Sequence, residues 1–172
     1  MNDWQKYQKT LLEYLNRIDE SKITQFADEV AEVERVWIFG NGASISNSQH
    51  LACDLLKAAR IRAMALSDIA LLTASANDCG YENSFKVGAS RLIGRDDAVI
   101  GISVSGKSEN VLNVFKAVSY QCRKLALIGV KNSPIDRLAD VSITVGSGDY
   151  KLVEDIHAIL CHRIVARLEA RK

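Results

Sequence analysis

Apolar residues recur every three or four positions among charged ones over residues 3–33. This spacing is the period of an amphipathic α-helix, and it predicts one long helix or two consecutive helices. Beyond Glu34 the pattern changes to short, uninterrupted apolar runs. These runs lie at residues 36–39, 63–66, 98–102, 125–130 and 141–145. Continuous apolar runs of this length are typical of parallel strands that are buried on both faces.

Segments with helical spacing alternate with these runs. They lie at residues 44–57, 69–75, 108–120 and 153–169, and a turn is predicted at Pro134. Such alternation predicts an α/β fold, a doubly wound parallel sheet of about five strands with helices on both faces. We expect a single domain over residues 1–172, made of an N-terminal helical extension (1–34) and a sheet core with a C-terminal helix (35–172). The extension is either an oligomerisation element or simple packing on the sheet.

The amino-acid composition argues against several functional classes of protein. The 172 residues include 22 Lys and Arg against 21 Asp and Glu, so the chain is nearly neutral. Its overall charge therefore does not indicate a positively charged surface for nucleic acid. No apolar run approaches the roughly 18 residues that a membrane span needs, and the N-terminus has no apolar signal segment. The four cysteines form no C-x-x-C pair, which argues against a zinc ribbon or a redox dithiol. We therefore expect a cytoplasmic protein that binds neither nucleic acid nor membranes.

A glycine-containing loop, Gly40-Asn41-Gly42-Ala43-Ser44, follows the first predicted strand and precedes a helix. In open parallel sheets, ligands bind beyond the carboxyl ends of the strands, where helix N-termini present unpaired N–H groups. Ser44 is placed to cap the helix and to offer a hydroxyl to an anion. An ordinary strand-to-helix turn is the alternative interpretation of this motif.

A second loop, residues 101–108, matches the G-x-x-x-x-G-K-S phosphate loop of nucleotide triphosphatases. Ile102 and Val104 between its glycines do not favour the wide nest of backbone N–H groups that a triphosphate needs. The apolar run at 125–130 is also not followed by a metal-holding Asp. The alternative is a cradle for one phosphate, built from the N-terminus of the next helix and three hydroxyls. Those hydroxyls belong to Ser103, Ser105 and Ser108.

The histidines suggest a second cluster. His50 and Asp54 are four residues apart on one predicted helix, so they share a face. On the C-terminal helix, His157 lies roughly 60° to one side of Glu154 and His162 roughly 80° to the other, so periodicity does not decide which histidine joins Glu154. Two histidines and two carboxylates suit a zinc site or an acid–base pair. A chance pairing on surface helices is the alternative.

In order and spacing, these residues resemble the sugar-isomerase (SIS) domain family, and within it the sedoheptulose 7-phosphate (phosphoheptose) isomerases. The resemblance covers nearly the whole chain. It is carried by residues 40–44, 49–52, 77–78, 101–108 and 154–157 together with His162.

The resemblance implies a set of site residues. The substrate phosphate binds at Ser44, Ser103, Ser105 and Ser108, with Val104 in the same loop, and the sugar chain contacts Asn41, Gly42, Asn77 and Asp78. Glu154 is also a substrate-binding residue in this set. One zinc ion per site is held by His50, Asp54, Glu154 and His162. For proton transfer, the resemblance implies Asp54 and His162. We expect Asp54 or Glu154 to be the base and His162 the acid. His157 is then a supporting or packing residue.

The sequence departs from the family pattern at five positions. It has Ala43 for Gly, Ile45 for His, Val104 for Thr, Asp54 for Glu and Glu154 for Gln. The aspartate shortens the arm of the base by one methylene, about 1.5 Å. The glutamate adds a negative charge that strengthens cation binding.

The resemblance implies an aldose–ketose isomerase that converts sedoheptulose 7-phosphate to a heptose 7-phosphate through an enediolate, with zinc assistance, for heptose biosynthesis. It also implies a homotetramer or homodimer. The alternative is a non-catalytic member of the same fold, either a phosphosugar sensor or a regulator that binds a replication initiator. The presence of both His50 and His162 with two acids favours the enzyme.

Overall fold

A five-stranded parallel sheet in the order β2-β1-β3-β4-β5 forms the centre of the protein in the computed structural model, which describes residues 1–171. The strands are β1 (Val36–Gly40), β2 (Ala63–Ala65), β3 (Ala98–Ser103), β4 (Arg123–Ile128) and β5 (Val141–Thr144). Every strand coincides with one of the predicted apolar runs. The predicted doubly wound α/β fold is confirmed.

Seven α-helices surround the sheet within the described residues. They are α1 (Asp3–Leu15), α2 (Glu20–Ala31), α3 (Ala43–Lys57), α4 (Ile69–Cys79), α5 (Ser84–Leu92), α6 (Glu109–Ala117) and α7 (Tyr150–Glu169), with a short 3-10 helix at Tyr81–Asn83. Over residues 1–171, no helix is both long and apolar enough to cross a membrane.

Two helices, and not one, occupy the N-terminal segment. Asp19 caps α2, because its carboxylate accepts hydrogen bonds from the hydroxyl and the backbone N–H of Ser21. These bonds lower the pKa of Asp19. Helix α2 then buries Phe26 and Val30 in the core, whereas α1 buries no residue and is joined to α7 by a hydrogen bond from Tyr7 to Asp155. The two helices therefore differ in role: α2 belongs to the core and α1 lies on its surface.

The sheet has a separate apolar layer on each face. On one face, α2, α3 and α7 pack against the strands. On the other face, Phe39 of β1 contacts Phe85 of α5 and Phe115 of α6, with ring centroids 5.7 and 6.1 Å apart. Gly101 makes room for this cluster, since a Cβ there would lie 2.5 Å from the Phe115 ring. These contacts hold α5 and α6 against the face of the sheet formed by β1 and β3.

Helix α5 is the element that hydrophobic spacing did not predict. Its apolar positions are interrupted by Lys86, Gly88 and Ser90, so no regular period stands out. Gly88 allows close packing on α4, because a Cβ there would approach Leu71 Cδ2 to 3.0 Å. Tertiary packing, which the local sequence does not reveal, stabilises this helix.

His157 is a fully buried residue of α7, and neither of its ring nitrogens makes a hydrogen bond of normal geometry. Burial lowers the pKa of His157 to about 4, against a smaller opposing effect of the Ile128 backbone. The ring is therefore neutral at physiological pH. It serves as a packing residue, at the cost of polar atoms left without partners.

We expect the free energy of unfolding to fall as the pH drops from 6.5 towards 4. In this window the unfolded chain binds a proton at His157 and the folded chain does not, a difference worth about 3 kcal/mol at most. Urea unfolding at several pH values, for the wild type and His157→Leu, measures this contribution. The variant should lose part of the pH slope and be at least as stable at pH 7. Identical slopes in the two proteins would contradict the assignment.

Candidate active site

The site lies at the carboxyl edge of the sheet, between β1 and β3. These strands are paired in register, with Phe39 opposite Gly101 and Gly40 opposite Ile102, so both end at the same level. The chain leaves β1 towards β2 and leaves β3 towards β4, in opposite directions along the sheet. Divergence of this kind opens a crevice between the two loops, which is where doubly wound sheets bind ligands.

The loop after β1 depends on two glycines. A Cβ at Gly40 would lie 2.6 Å from the carbonyl oxygen of Ile102 and 2.6 Å from the Ser44 side chain, so only glycine allows the two loops to approach this closely. Gly42, with φ +55°, precedes the first residue of α3. This sharp entry places Ser44 in the first turn of α3, with its side chain on the crevice.

The loop after β3 is folded by its own serines. The backbone N–H of Gly106 donates to Ser103 Oγ at 3.1 Å, and that of Lys107 donates to Ser105 Oγ at 3.2 Å. Gly106 has φ +63°, and a Cβ there would lie 2.0 Å from Ser133 Oγ. Ser108 is the N-cap residue of α6 but makes no capping hydrogen bond, and its hydroxyl oxygen lies 3.4 Å from Ser103 Oγ. The predicted hydroxyl cradle therefore forms at a helix N-terminus.

A small polar cavity joins these loops to the start of α7. It is lined by Asn41, Ser44, Ile102, Ser103, Val104, Ser105, Ser108, Tyr150 and Glu154. Seven of these nine residues were predicted as site residues. Lys107 is exposed outside this cavity, and the buried side chains of Ile102 and Val104 anchor the loop in the core. The geometry favours one phosphate over a triphosphate.

Tyr150 belongs to the site but was missed by the sequence analysis. Its position depends on where α7 begins, three residues before the predicted start. The Asp149 carboxylate caps the helix by accepting from the Leu152 N–H at 3.2 Å, which brings Tyr150 into the first turn. An Asp followed by a helical segment is the signal that would have found this start.

A second cluster, the His–Asp–His cluster, is formed by His50, Asp54 and His162. The two Nε2 atoms are 2.9 Å apart, and Asp54 Oδ2 lies 3.3 Å from His50 and 3.9 Å from His162. Their ligand atoms all lie within 4.8 Å of one another, the arrangement of a possible metal site. The histidine side chains are more than half exposed. The structure thus pairs His162, and not the buried His157, with the cluster on α3.

Three other predicted residues lie apart from this cluster. Glu154 lines the serine cavity, two helical turns before His162. Asn77 and Asp78 are exposed at the end of α4, where Asn77 Nδ2 donates to Asp78 Oδ1 at 2.9 Å, and they do not line the cavity. The roles predicted for these three residues stay predictions.

A family model of the SIS domain matches residues 3–130, about three quarters of the chain. The chain belongs to the SIS domain family. This SIS protein is 32% identical to the phosphoheptose isomerase of Helicobacter pylori strain P12 over 161 residues, which cover 90% of this chain and 84% of that one. The phosphoheptose isomerase type predicted from the sequence motifs is therefore confirmed.

Solved structures share the fold. The phosphoheptose isomerase from Francisella tularensis superimposes with a TM-score of 0.88 at 24% identity, over 99% of this chain and 100% of that one. The Vibrio vulnificus NanR protein, solved in complex with ManNAc-6P, matches with a TM-score of 0.74 at 20% identity, over 97% of this chain and 61% of that one. The same architecture therefore occurs in an enzyme and in a protein solved with a bound phosphosugar.

Removing a hydroxyl from the serine cradle should weaken anion binding. For Ser103→Ala and Ser105→Ala we expect a roughly 10-fold loss of affinity for inorganic phosphate, since each loses one hydrogen-bonding group in a cavity. Isothermal titration calorimetry with inorganic phosphate measures the change. Ser90→Ala is the matched control, because Ser90 Oγ bonds to the Val87 carbonyl on α5, outside the cavity. Unchanged affinity in both cradle variants would show that phosphate binds elsewhere.

Proposed function

We propose that this protein is a phosphosugar aldose–ketose isomerase whose substrate is sedoheptulose 7-phosphate, converted to a heptose 7-phosphate. The observation that carries the proposal is the pairing of two sites on the same two helices. The serine cavity lies at the starts of α3 and α7, and the His–Asp–His cluster lies further along them. One site suits a phosphate and the other suits proton transfer.

The spacing of the two sites supports a long substrate. Ser44 and His50 are six residues apart on α3, about 9 Å along the axis, and Glu154 and His162 are eight apart on α7, about 12 Å. The six C–C bonds of a seven-carbon sugar, each about 1.5 Å, span roughly 8 Å when extended. A phosphate at carbon 7 therefore reaches the serine cavity while carbons 1 and 2 lie near the histidines.

The chain's own groups fit the reaction. Isomerisation removes a proton beside a carbonyl, stabilises the resulting enediolate and returns the proton to the neighbouring carbon. Asp54 or Glu154 is the proposed base, and His162 is the proposed acid. Asp54 lies within 4 Å of both histidine Nε2 atoms, which orients its carboxylate. The serine cradle anchors the phosphate and so fixes the position of the reacting carbons.

The side chains of the His–Asp–His cluster are suitable ligands for zinc. Two imidazole nitrogens 2.9 Å apart repel each other if both present lone pairs, so a proton or a cation must lie between them. Two histidines and one carboxylate are a common catalytic zinc set, with a fourth position open. That position is left open to the substrate, because Glu154, the fourth ligand that the resemblance implies, lies apart from the cluster in the serine cavity. When bound, zinc polarises the substrate carbonyl as a Lewis acid.

The proposed enzyme is an assembly of two or four copies of the chain. The His–Asp–His cluster is exposed on a single chain, whereas enediolate chemistry benefits from exclusion of water. Helix α1 has no fully buried residue: Tyr7, Leu11, Tyr14 and Leu15 are partly buried against the core, whereas the side chains of Trp4 and Leu12 are exposed. We therefore infer a homotetramer or homodimer in which the N-terminal helices mediate contacts. We propose that this enzyme acts in the cytoplasm and supplies heptose for biosynthesis.

A phosphosugar sensor is the second candidate. The fold shared with NanR, whose structure contains ManNAc-6P, supports it. A sensor needs the phosphate cradle but has no need of the His–Asp–His cluster, so the cluster favours the enzyme. The regulator that binds a replication initiator has no further support in the structure.

Turnover of sedoheptulose 7-phosphate tests the proposal, with NMR detection of the aldose. We expect wild-type turnover, and a loss of at least 100-fold in Asp54→Asn, because the amide does not accept the proton. Asp28→Asn makes the same change on α2 and should keep full activity. Asp54→Asn with normal folding and unchanged turnover would exclude Asp54 as the base.

The sensor interpretation predicts a different result. Sedoheptulose 7-phosphate would then raise the melting temperature of the wild type without any turnover, in the presence or absence of zinc.

Zinc binding is tested by calorimetry on chelator-treated protein. We expect a loss of at least 10-fold in zinc affinity for His50→Ala and for His162→Ala, because each removes a ligand atom. Glu154→Gln should weaken binding less, because Glu154 lies apart from the cluster and the substitution removes only a nearby negative charge. His157→Leu is the control, because that histidine is buried away from the cluster. Equal affinity in all variants would place zinc elsewhere.

A further inference from the structure

A pair of asparagine side chains joins the two loops that form the cavity. Asn110 is the second residue of α6 and is only 2% exposed. Its Nδ2 donates to Asn41 Oδ1 at 2.9 Å, and Asn41 Nδ2 donates back to Asn110 Oδ1 at 2.9 Å. The two amides thus form a closed ring of two hydrogen bonds. This ring connects the loop after β1 to the helix that follows β3.

The orientation of both amides is set by a backbone group. The N–H of Val111 donates to Asn110 Oδ1 at 3.0 Å, and a backbone N–H is only ever a donor. The other end of the Asn110 side chain must therefore be Nδ2, which also donates to Ser84 Oγ at 3.2 Å. It follows that Asn41 presents its oxygen to Asn110 Nδ2 and its nitrogen to Asn110 Oδ1.

One N–H group of the two paired amides has no hydrogen-bond partner within residues 1–171. Asn110 uses both Nδ2 hydrogens and both Oδ1 lone pairs. Asn41 Oδ1 accepts from Asn110 and from the Tyr81 hydroxyl at 3.0 Å. Asn41 Nδ2 uses only one of its two hydrogens among residues 1–171. Because Asn41 lines the serine cavity, the remaining N–H is available to an oxygen bound there.

We propose that Asn110 is a positioning residue that fixes Asn41 as a hydrogen-bond donor to an anionic oxygen of the ligand. The inference rests on the proposed function in that the ligand is a phosphosugar. An Asn41 amide free to rotate would also present its carbonyl oxygen, which repels phosphate oxygens. The buried partner removes that alternative before the ligand arrives, and such pre-organisation strengthens binding.

A neighbouring asparagine provides the matched control. Asn113 lies about one turn further along α6, and its Nδ2 donates to the Glu82 carbonyl at 2.9 Å. It therefore links the same helix to the 3-10 segment that directly precedes Ser84, and it makes no hydrogen bond to Asn41. A purely structural cross-link would respond to Asn113→Ala much as to Asn110→Ala.

The test is a double-mutant cycle on Asn41 and Asn110, read by calorimetric affinity for inorganic phosphate and by kcat/KM for sedoheptulose 7-phosphate. We expect Asn41→Ala and Asn110→Ala each to reduce both quantities about 10-fold, and the double variant to lose no more than either single variant. Asn113→Ala should leave both unchanged. Asn110→Asp keeps the acceptor for Val111 but removes the donor to Asn41, so it should behave like Asn110→Ala.

The side-chain amide of Asn41 gives a readout that needs no turnover. In a ¹H–¹⁵N spectrum, its resonances should shift when inorganic phosphate is added to the wild type, and this shift should be lost in Asn110→Ala. A wild type that shows this shift but no isomerase activity would overturn the proposed function and leave the positioning role intact.

Three outcomes would overturn the inference itself. One is additive losses in the double variant, which would show that Asn110 acts on something other than Asn41. Another is a lower melting temperature for Asn110→Ala with phosphate affinity and kcat/KM unchanged, which would make the residue purely structural. The last is an Asn41 amide that does not respond to phosphate in the wild type.

Discussion

The close approach of the loops after β1 and β3 is the constraint on which the site depends. Gly40 packs against the Ile102 carbonyl and Ser44 with no room for a side chain, so the starts of α3 and α6 converge. Two helix N-termini and several hydroxyls therefore face one small cavity. Helix dipoles and unpaired N–H groups add at such a point, which explains how a nearly neutral chain builds an anion site without a basic patch.

The two halves of the site have different physical characters. The serine cavity is held by buried glycines and by hydrogen bonds within the loop, so it is rigid before a ligand binds. The His–Asp–His cluster is more than half exposed at its histidines and is held by the helix packing of α3 on α7. A rigid anchor at one end and an accessible reactive group at the other suit a substrate that enters with its phosphate first.

Glu154 creates an electrostatic problem within this arrangement. Glu154 lines a cavity otherwise suited to an anion. Asn47 Nδ2 donates to its backbone carbonyl at 3.2 Å, whereas its carboxylate makes no hydrogen bond or ion pair within residues 1–171. A dianionic phosphate beside an uncompensated carboxylate is disfavoured by repulsion. A cation near Glu154 would remove that penalty, so cation and phosphosugar would each strengthen the binding of the other. The charge of Glu154 would thus make phosphosugar binding depend on a nearby cation.

Sequence patterns predicted the parts of this protein that depend on local periodicity. Buried parallel strands carry uninterrupted apolar runs, and the loops that follow them carry the glycines and serines, so the sheet and the cradle were both predicted. The helical wheel did not choose between His157 and His162, because that choice depends on which side of α7 faces the sheet.

The hydrogen-bonded pair of asparagine side chains could not be predicted from the sequence for a related reason. Asn41 and Asn110 are 69 residues apart, and only the strand order brings them together. Local sequence therefore predicts which groups a site contains, whereas long-range packing determines how those groups are oriented.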